Sequence, residues 1–503
     1  MEFIDYECPF CRIGAGRVFD LVAAEGADIA IRHLPLEGIH PRAREAAQAA
    51  ICSEQHGVFA EAHASLLNED DWLVGGDWGG WAVRRLGIQD TGAFQRCMAD
   101  EETARRLEED VHLADQLGIQ GTPGFVTAQG VFGGRLDEAL ASLHVPVLTL
   151  ADGVLFASGD HGDAAVAEIG FLGGGLFTGE RRIVLVDRFS LLLLFIELPT
   201  GELQIQGGRG EGPGEFDDLA PTLGRGPDGP VAWDTNQRRA TFYSQEGSLI
   251  ATHHVRSGLK HSGREVFLGA LDGDGALAFL VFADPAQEPN GAVVRRSAFL
   301  SVQLPDGDAV AQVREFPTTE TLIVRDPPLF PYSEKAVLFG AKTYFAKIGD
   351  RVVVADTQTD GVVSYDRTGV AVMSMRTPGE RRRVSRAQIE AVTESLKDRD
   401  RQIQERRQQT GSPTRDVFDD YVSSPEAPAI DQMLADWAGR LWLRQYMMPG
   451  DTSQHWTVWA GQDHVFSVEL PLEAVLMDAQ GDLLLLQTQD DLGVQQAVVR
   501  RIS

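Results

Sequence analysis

The apolar positions of the first 143 residues change period several times. Phe3, Ile4 and Tyr6 lead into a helical pattern from Ile13 to about Ala24. Residues 28–36 read as a strand, with Pro35 at its end or on an edge because proline cannot donate to a ladder. From Pro41 to Leu117, Ala43, Ala46, Ala47, Ala50 and Ile51 recur at three- and four-residue spacing, which predicts helices. Breaks fall near Asn68-Glu69-Asp70, Gly75-Gly76 and Gly87. After Pro123, Phe125–Thr127 and Val131–Gly133 read as a hairpin turning at Ala128-Gln129-Gly130, and a short helix runs to Leu143.

Beyond Val145 short apolar strands alternate with glycine turns, and the pattern repeats. Val231-Ala-Trp-Asp-Thr-Asn-Gln matches Val353-Val-Ala-Asp-Thr-Gln-Thr; Asp234 and Asp356 each precede a glycine, Gly247 and Gly369, by 13 residues. Asp187 to Gly201 repeats this with one extra residue. Asp187 and Asp234 are 47 residues apart, and ~40–50 residues is the period of a four-stranded propeller blade. Further strand-turn-strand units are expected at Ala270–Phe282, Gly439–Ser467 and Ala474–Ile502. Such blades, packed face to face, bury surfaces none could bury alone. Ser385 to Gln409 interrupts the strands: Ile389, Val392, Leu396 and Ile403 mark one face of a helix, more simply buried at home than kept for a partner. Trp437, Trp442, Trp456 and Trp459 are expected to fill strand faces.

A chain of 503 residues exceeds one ordinary core and predicts two or more domains. Hydrophobic and charged contents of 43% and 24% fit a globular protein. The net charge of −29 argues against binding nucleic acid or an anionic membrane. The run Phe189 to Ile196 is too short to span a bilayer and reads as a buried strand, so no transmembrane segment is expected. All four cysteines precede residue 100, which places thiol chemistry in the N-terminal domain.

Cys8-Pro9-Phe10-Cys11 falls between a strand and a helical pattern. At a helix start the unpaired N–H groups and the helix dipole favour a thiolate, and Pro9 suits the first helical position. The alternatives are an inert disulfide or half of a zinc site; zinc needs four ligands, and no second CxxC exists, so no metal is expected. Cys52 and Cys97 read most simply as buried free cysteines, with a second disulfide as the alternative.

Phe3 to Arg12 resembles the active site of the DsbA-like branch of the thioredoxin superfamily. Leu117-Gly-Ile-Gln-Gly-Thr-Pro-Gly-Phe-Val126 resembles that family's Gly-Thr-Pro loop, which implies a cis Pro123 facing the cysteines. Glu2 falls where the family carries a buried acid. The resemblance implies an α/β thioredoxin fold with a helical insertion. It makes Cys8 the attacking thiolate, Cys11 the resolving cysteine and Glu2 the proton acceptor for Cys11. Pro123, Thr122 and Phe10 would face the substrate. Phe10 stands where strongly oxidising members carry histidine, which predicts a pair less oxidising than about −120 mV. No cofactor is expected. The resemblance also implies an export signal, absent from this chain, and so a periplasmic or otherwise extracytoplasmic location.

Gly207-Gly-Arg-Gly-Glu-Gly-Pro-Gly-Glu-Phe216 resembles the signature of six-bladed propellers common in bacterial extracytoplasmic proteins. A phosphate cradle would need the Lys-Ser/Thr of a P-loop, so a connection between blades is the better reading. Asp272-Gly-Asp-Gly275 reads as a hairpin turn rather than a calcium loop. The expected architecture is multidomain. Residues 1–143 form a DsbA-like thioredoxin domain, and 144–503 an all-β six-bladed propeller with a helical insertion at about 385–409. The expected function is thiol–disulfide exchange with protein or peptide thiols and a redox partner protein, the propeller serving as binding module. The alternative is a non-enzymatic propeller scaffold with a weak or inactive thioredoxin domain.

Overall fold

The computed structural model describes all residues except 25–28, 128–129, 137–138, 141–144, 161, 163–165, 167–168, 199, 256–264, 274, 284–287, 305–309, 327–329, 410–420 and 490–493. The turn at Ala128-Gln129, part of the helix to Leu143, Asp274 and Gly411-Ser-Pro413 therefore lie outside the described residues. The chain divides into two compact units, one of Met1–Pro146 with Gly379–Arg383, the other of Val147–Pro378 and Val384–Ser503.

The first unit is a four-stranded sheet with helices. β1 (Glu2–Ile4) pairs in parallel with β2 (Ile31–His33) and antiparallel with β3 (Gly124–Thr127), which forms a hairpin with β4 (Gly130–Gly133). The order is β2-β1-β3-β4. β2 is much shorter than the strand expected over 28–36, and Pro35 lies beyond it. Helix α1 (Pro9–Ala24) begins four residues earlier than its apolar period indicates. The reason is local: Pro9 has no N–H to lose at a helix start.

Between β2 and β3 come α2 (Ala43–Glu54), α3 (Phe59–Asn68), α4 (Asp71–Val74), α5 (Trp78–Leu86), α6 (Thr91–Met98) and α7 (Glu101–Leu117). Asp77, Asp90 and Asp100 cap α5, α6 and α7 by accepting from Gly80, Ala93 and Glu102 N–H. Gly87 and Gly118 close α5 and α7 in the left-handed region. The alanine face of α2 packs into a core with Tyr6, Cys8, Cys11, Trp81 and Phe94.

The second unit is a large all-β region of antiparallel sheets plus one long helix. Its sheets hold four (Leu172–Gly207), nine (Gly224–Ala336), four (Thr343–Arg376), five and four strands. The nine-stranded sheet joins two groups through a single parallel contact, Arg225 to Gly269, so the hydrogen bonds do not divide this region into six separate sheets. The last two sheets are each completed by an early strand: Val147–Leu148 pairs with Asp463–Leu470, and Phe156–Ala157 with Gln495–Arg501.

Two of the three repeated aspartates, Asp187 and Asp234, do the same structural job. Asp187 ends a strand and accepts from Phe189 N at 2.9 Å and Phe171 N at 3.2 Å. Asp234 likewise ends a strand, accepting from Gln237 N at 2.8 Å and from Asp217 N. In both, the carboxylate pins the turn it begins and a segment 16–17 residues upstream. Phe189 sits on such a turn and is exposed; the buried strand expected from there starts at Leu192.

The glycine-rich segment connects strands Leu203–Gly207 and Gly224–Arg225 and is bonded to itself and its neighbours. Gly210 N donates to Phe216 O, Gly212 N to Glu215 Oε2, and Arg239 to the Glu211 and Glu215 carbonyls. Gly207, at φ 100°, admits no side chain: a Cβ would lie 2.5 Å from Leu191 O.

Helix α8 (Arg386–Gln409) lays Ile389, Val392 and Leu396 against Leu338, Phe339 and Met448, while Ile403 stays partly exposed. Trp442 and Trp456 are wholly buried in strand faces, and Trp459 stacks on His464. Trp437 differs, lying under the Arg225 guanidinium.

Candidate functional site

β1 ends at Ile4, and the chain turns through Asp5-Tyr6-Glu7, so Cys8 immediately precedes α1 and Cys11 lies in its first turn. The turn is held by its own main chain: Cys8 N donates to Asp5 O at 3.1 Å and Arg12 N to Cys8 O. Both cysteines are free thiols, only 4% and 2% exposed. Phe10, between the cysteines, and Ile13, two residues after them, are by contrast 73% and 83% exposed.

The Thr122–Pro123 peptide is cis, and this loop meets the cysteines. The Cys8 thiol donates to the Thr122 carbonyl oxygen at 3.4 Å. Burial pushes the Cys11 thiol far up, against the Asp5 main-chain N–H and the Thr122 hydroxyl, which favour its charged form.

Glu2 lies buried on β1, and burial lifts its carboxyl from 4.5 to about 7, poised to trade a proton near neutrality. Among the described residues no hydrogen bond joins it to Cys11. Cys8, Cys11, Thr122 and Pro123 are thus brought together, with Phe10 at the rim and Glu2 at the buried level.

Four groups were missed from sequence. Asp5 has a wholly buried carboxylate that accepts from Glu7 N, Leu36 N and His40 Nδ1, each at 2.8 Å. Tyr6, also buried, pairs with His63 Nδ1 at 3.0 Å, and burial drives the His63 ring from 6.5 to about 4. Arg12 caps the other side of the loop, donating to the Leu66 and Glu69 carbonyls and pairing with Asp70. The position of Asp5, three residues before Cys8, was the one available signal.

Cys52 and Cys97 are bonded, sulfur to sulfur at 2.04 Å, which corrects the simpler reading of two free cysteines. The bond links α2 to α6 beside the Thr103 hydroxyl. Sequence spacing could not bring two helices to this distance. Among the described residues no group of three or more His, Cys, Asp or Glu side chains could hold a metal ion. No described helix is long and apolar enough to cross a membrane.

Comparison with known proteins places these features. A family profile described as Thioredoxin matches residues 1–142. The chain is 37% identical over 126 residues to Na(+)/H(+) antiporter NhaA 3 of Salinispora tropica (25% of this chain, 19% of that protein). It is 37% identical over 144 residues to NhaA 1 of Salinispora arenicola (28% and 22%). The chain thus spans about a fifth of the length of these curated relatives. Among solved structures it is similar to a thioredoxin-like oxidoreductase from Silicibacter pomeroyi (29% identity, 28% of this chain and 83% of that one, TM-score 0.24). It is also similar to Pseudomonas aeruginosa DsbA2 (24%, 24% and 69%, TM-score 0.20). It is also similar to a duf4221 family member from Bacteroides vulgatus (9%, 71% and 97%, TM-score 0.40). The Thioredoxin match, the CxxC at the head of α1 and the opposed cis-proline loop together make residues 1–142 a thioredoxin-superfamily domain.

Proposed function

We propose that the chain is a thiol–disulfide oxidoreductase acting on protein or peptide thiols outside the cytoplasm, through Cys8 and Cys11. The observation that carries this reading is the Cys8 thiol, at the head of α1, meeting the Thr122 carbonyl beside Pro123. A substrate segment laid along that loop would have its own sulfur beside Cys8. The Cys8 thiolate attacks one sulfur of a substrate disulfide, forming a mixed disulfide and expelling a substrate thiolate, which takes up a proton. Cys11 then loses its proton, with Glu2 as acceptor, and attacks the Cys8 sulfur. The substrate leaves as a dithiol and the Cys8–Cys11 disulfide remains. Run backwards, the same steps oxidise a substrate dithiol; two electrons and two protons move either way, without a cofactor.

The Cys52–Cys97 bond supports an oxidising compartment, because disulfides persist there and are rare in the cytosol. The second unit serves in this reading as a six-bladed propeller that binds a partner. Six successive antiparallel groups support it, the last completed by Phe156–Ala157. So does Arg225, whose guanidinium reaches both Ala435 O and Asp478, from strands far apart in sequence. The domain boundary in this reading falls near residue 143.

A second reading, a scaffold with an inert thioredoxin domain, draws on one observation: reactive cysteines are usually partly exposed, and these are buried. Equilibration in graded glutathione buffers, thiol trapping and mass spectrometry separates the two. A reversible two-thiol transition at Cys8 and Cys11 supports the oxidoreductase; two thiols that never pair support the scaffold.

A further inference from the structure

The loop before Cys8 carries two acidic side chains, Asp5 and Glu7. Asp5, three residues upstream, is wholly buried, and its main-chain carbonyl is bonded to Cys8 N–H. Glu7, next to Cys8, accepts Arg42 N–H at 2.7 Å. A carboxylate can only accept, so the proton between Asp5 and His40 sits on His40 Nδ1.

The arginines of this region are each already paired with a carboxylate. Arg12 is held by Asp70, by two carbonyls of α3 and its end, and by the Tyr6 carbonyl of the cysteine loop, Arg42 by Glu45, and Arg44 by Glu37 and Glu108. Segment 36–42 is fastened to the cysteine loop at two points, Leu36 N–H and His40 to Asp5, and Arg42 N–H to Glu7. Phe10 supplies no donor between the cysteines.

We propose that His40, held by Asp5, is a positioning residue for the redox pair: its charge offsets Asp5 and so supports the Cys8 thiolate. This rests on the oxidoreductase reading above, and it assigns to a residue outside the CxxC the electrostatic help that Phe10 does not give.

The test follows the rate at which iodoacetamide alkylates Cys8 in the reduced full chain, by peptide mass spectrometry, from pH 5.5 to 9. His40→Asn keeps an N–H donor for Asp5 but no titrating ring. At pH 6 its Cys8 should react roughly three- to tenfold more slowly than the parent, the two profiles meeting at high pH, where the parent's ring has lost its charge. Superimposable profiles overturn the proposal. Should His40→Asn not fold, the parent chain alone decides by linkage. His40, followed by NMR, must titrate at higher pH in the reduced chain than in the Cys8–Cys11 disulfide, since coupling between two sites is reciprocal. Equal titration in both forms overturns it. The glutathione titration of the parent is independent of these results, so a failed counter-charge is distinguishable from a failed redox pair.

Discussion

The Cys8 thiol and the Thr122 carbonyl lie 3.4 Å apart, on either side of the six helices α2 to α7 in sequence. The parallel pairing of β1 with β2 and its antiparallel pairing with β3 bring them together. If Cys8 attacks and Cys11 resolves, Cys11→Ser should accumulate a covalent adduct with a model disulfide peptide. Cys8→Ser should form none and reduce turnover to background. Non-reducing mass spectrometry of both variants checks the order; an adduct on Cys11 in the Cys8→Ser chain would reverse the roles.

Glu2 and His63 push stability with pH in opposite directions. The Glu2 carboxyl sits at about 7 folded against 4.5 unfolded, so its contribution is full below pH 4.5 and lost as pH rises through 7. His63 sits at about 4 folded against 6.5 unfolded, so its contribution is full above pH 6.5 and lost as pH falls through 4. Each is worth on the order of 3 kcal/mol, and the two nearly cancel between pH 4.5 and 6.5. Glu2→Gln should therefore unmask stability that rises from pH 4 to 6.5, and His63→Asn stability that falls from pH 4.5 to 7. Urea unfolding at several pH values reads both slopes.

Reducing the Cys52–Cys97 bond should cost stability without abolishing exchange at Cys8. A loop closed across 45 residues predicts roughly 4 kcal/mol in the chain-entropy account. The double variant Cys52→Ala, Cys97→Ala should unfold at markedly lower denaturant yet still show the two-thiol transition of Cys8 and Cys11.

In the second unit, Asp478 is fully buried, and its carboxylate accepts from Phe177 N at 2.7 Å and from Arg225. Burial nevertheless pushes its carboxyl up, so the pair is sensitive to loss of the cation. Arg225→Met should destabilise the unit by about 3 kcal/mol, because it strands a buried charge. Tryptophan fluorescence during denaturation, sensitive here to buried Trp442 and Trp456, measures it.

The CxxC and the Gly-Thr-Pro loop were legible because each is a contiguous run whose residue types have one strong physical use. The strands around Asp187, Asp234 and Asp356 were legible because the turn chemistry repeats with them. What was missed needed tertiary contact. Asp5 and His40 are 35 residues apart, and nothing in their spacing says that one buries its charge against the other. Cys52 and Cys97 sit on separate helices whose packing, not their sequence, sets the sulfur distance. The length of β2 was misread because the apolar run at 28–36 continues past the three residues that find a partner on β1.

The pairing of Phe156 with Val499 has a consequence for how the second unit is made. A ribosome emits residue 156 long before residue 499, so the sheet that holds both stays open through most of translation. Each new antiparallel group can fold onto its own hairpins as it emerges, but the early strand at 156–157 waits, its edge unpaired. The nascent chain is thus exposed to strand mispairing until its final strand has been synthesised, and a holding factor that shields that edge would be most useful then.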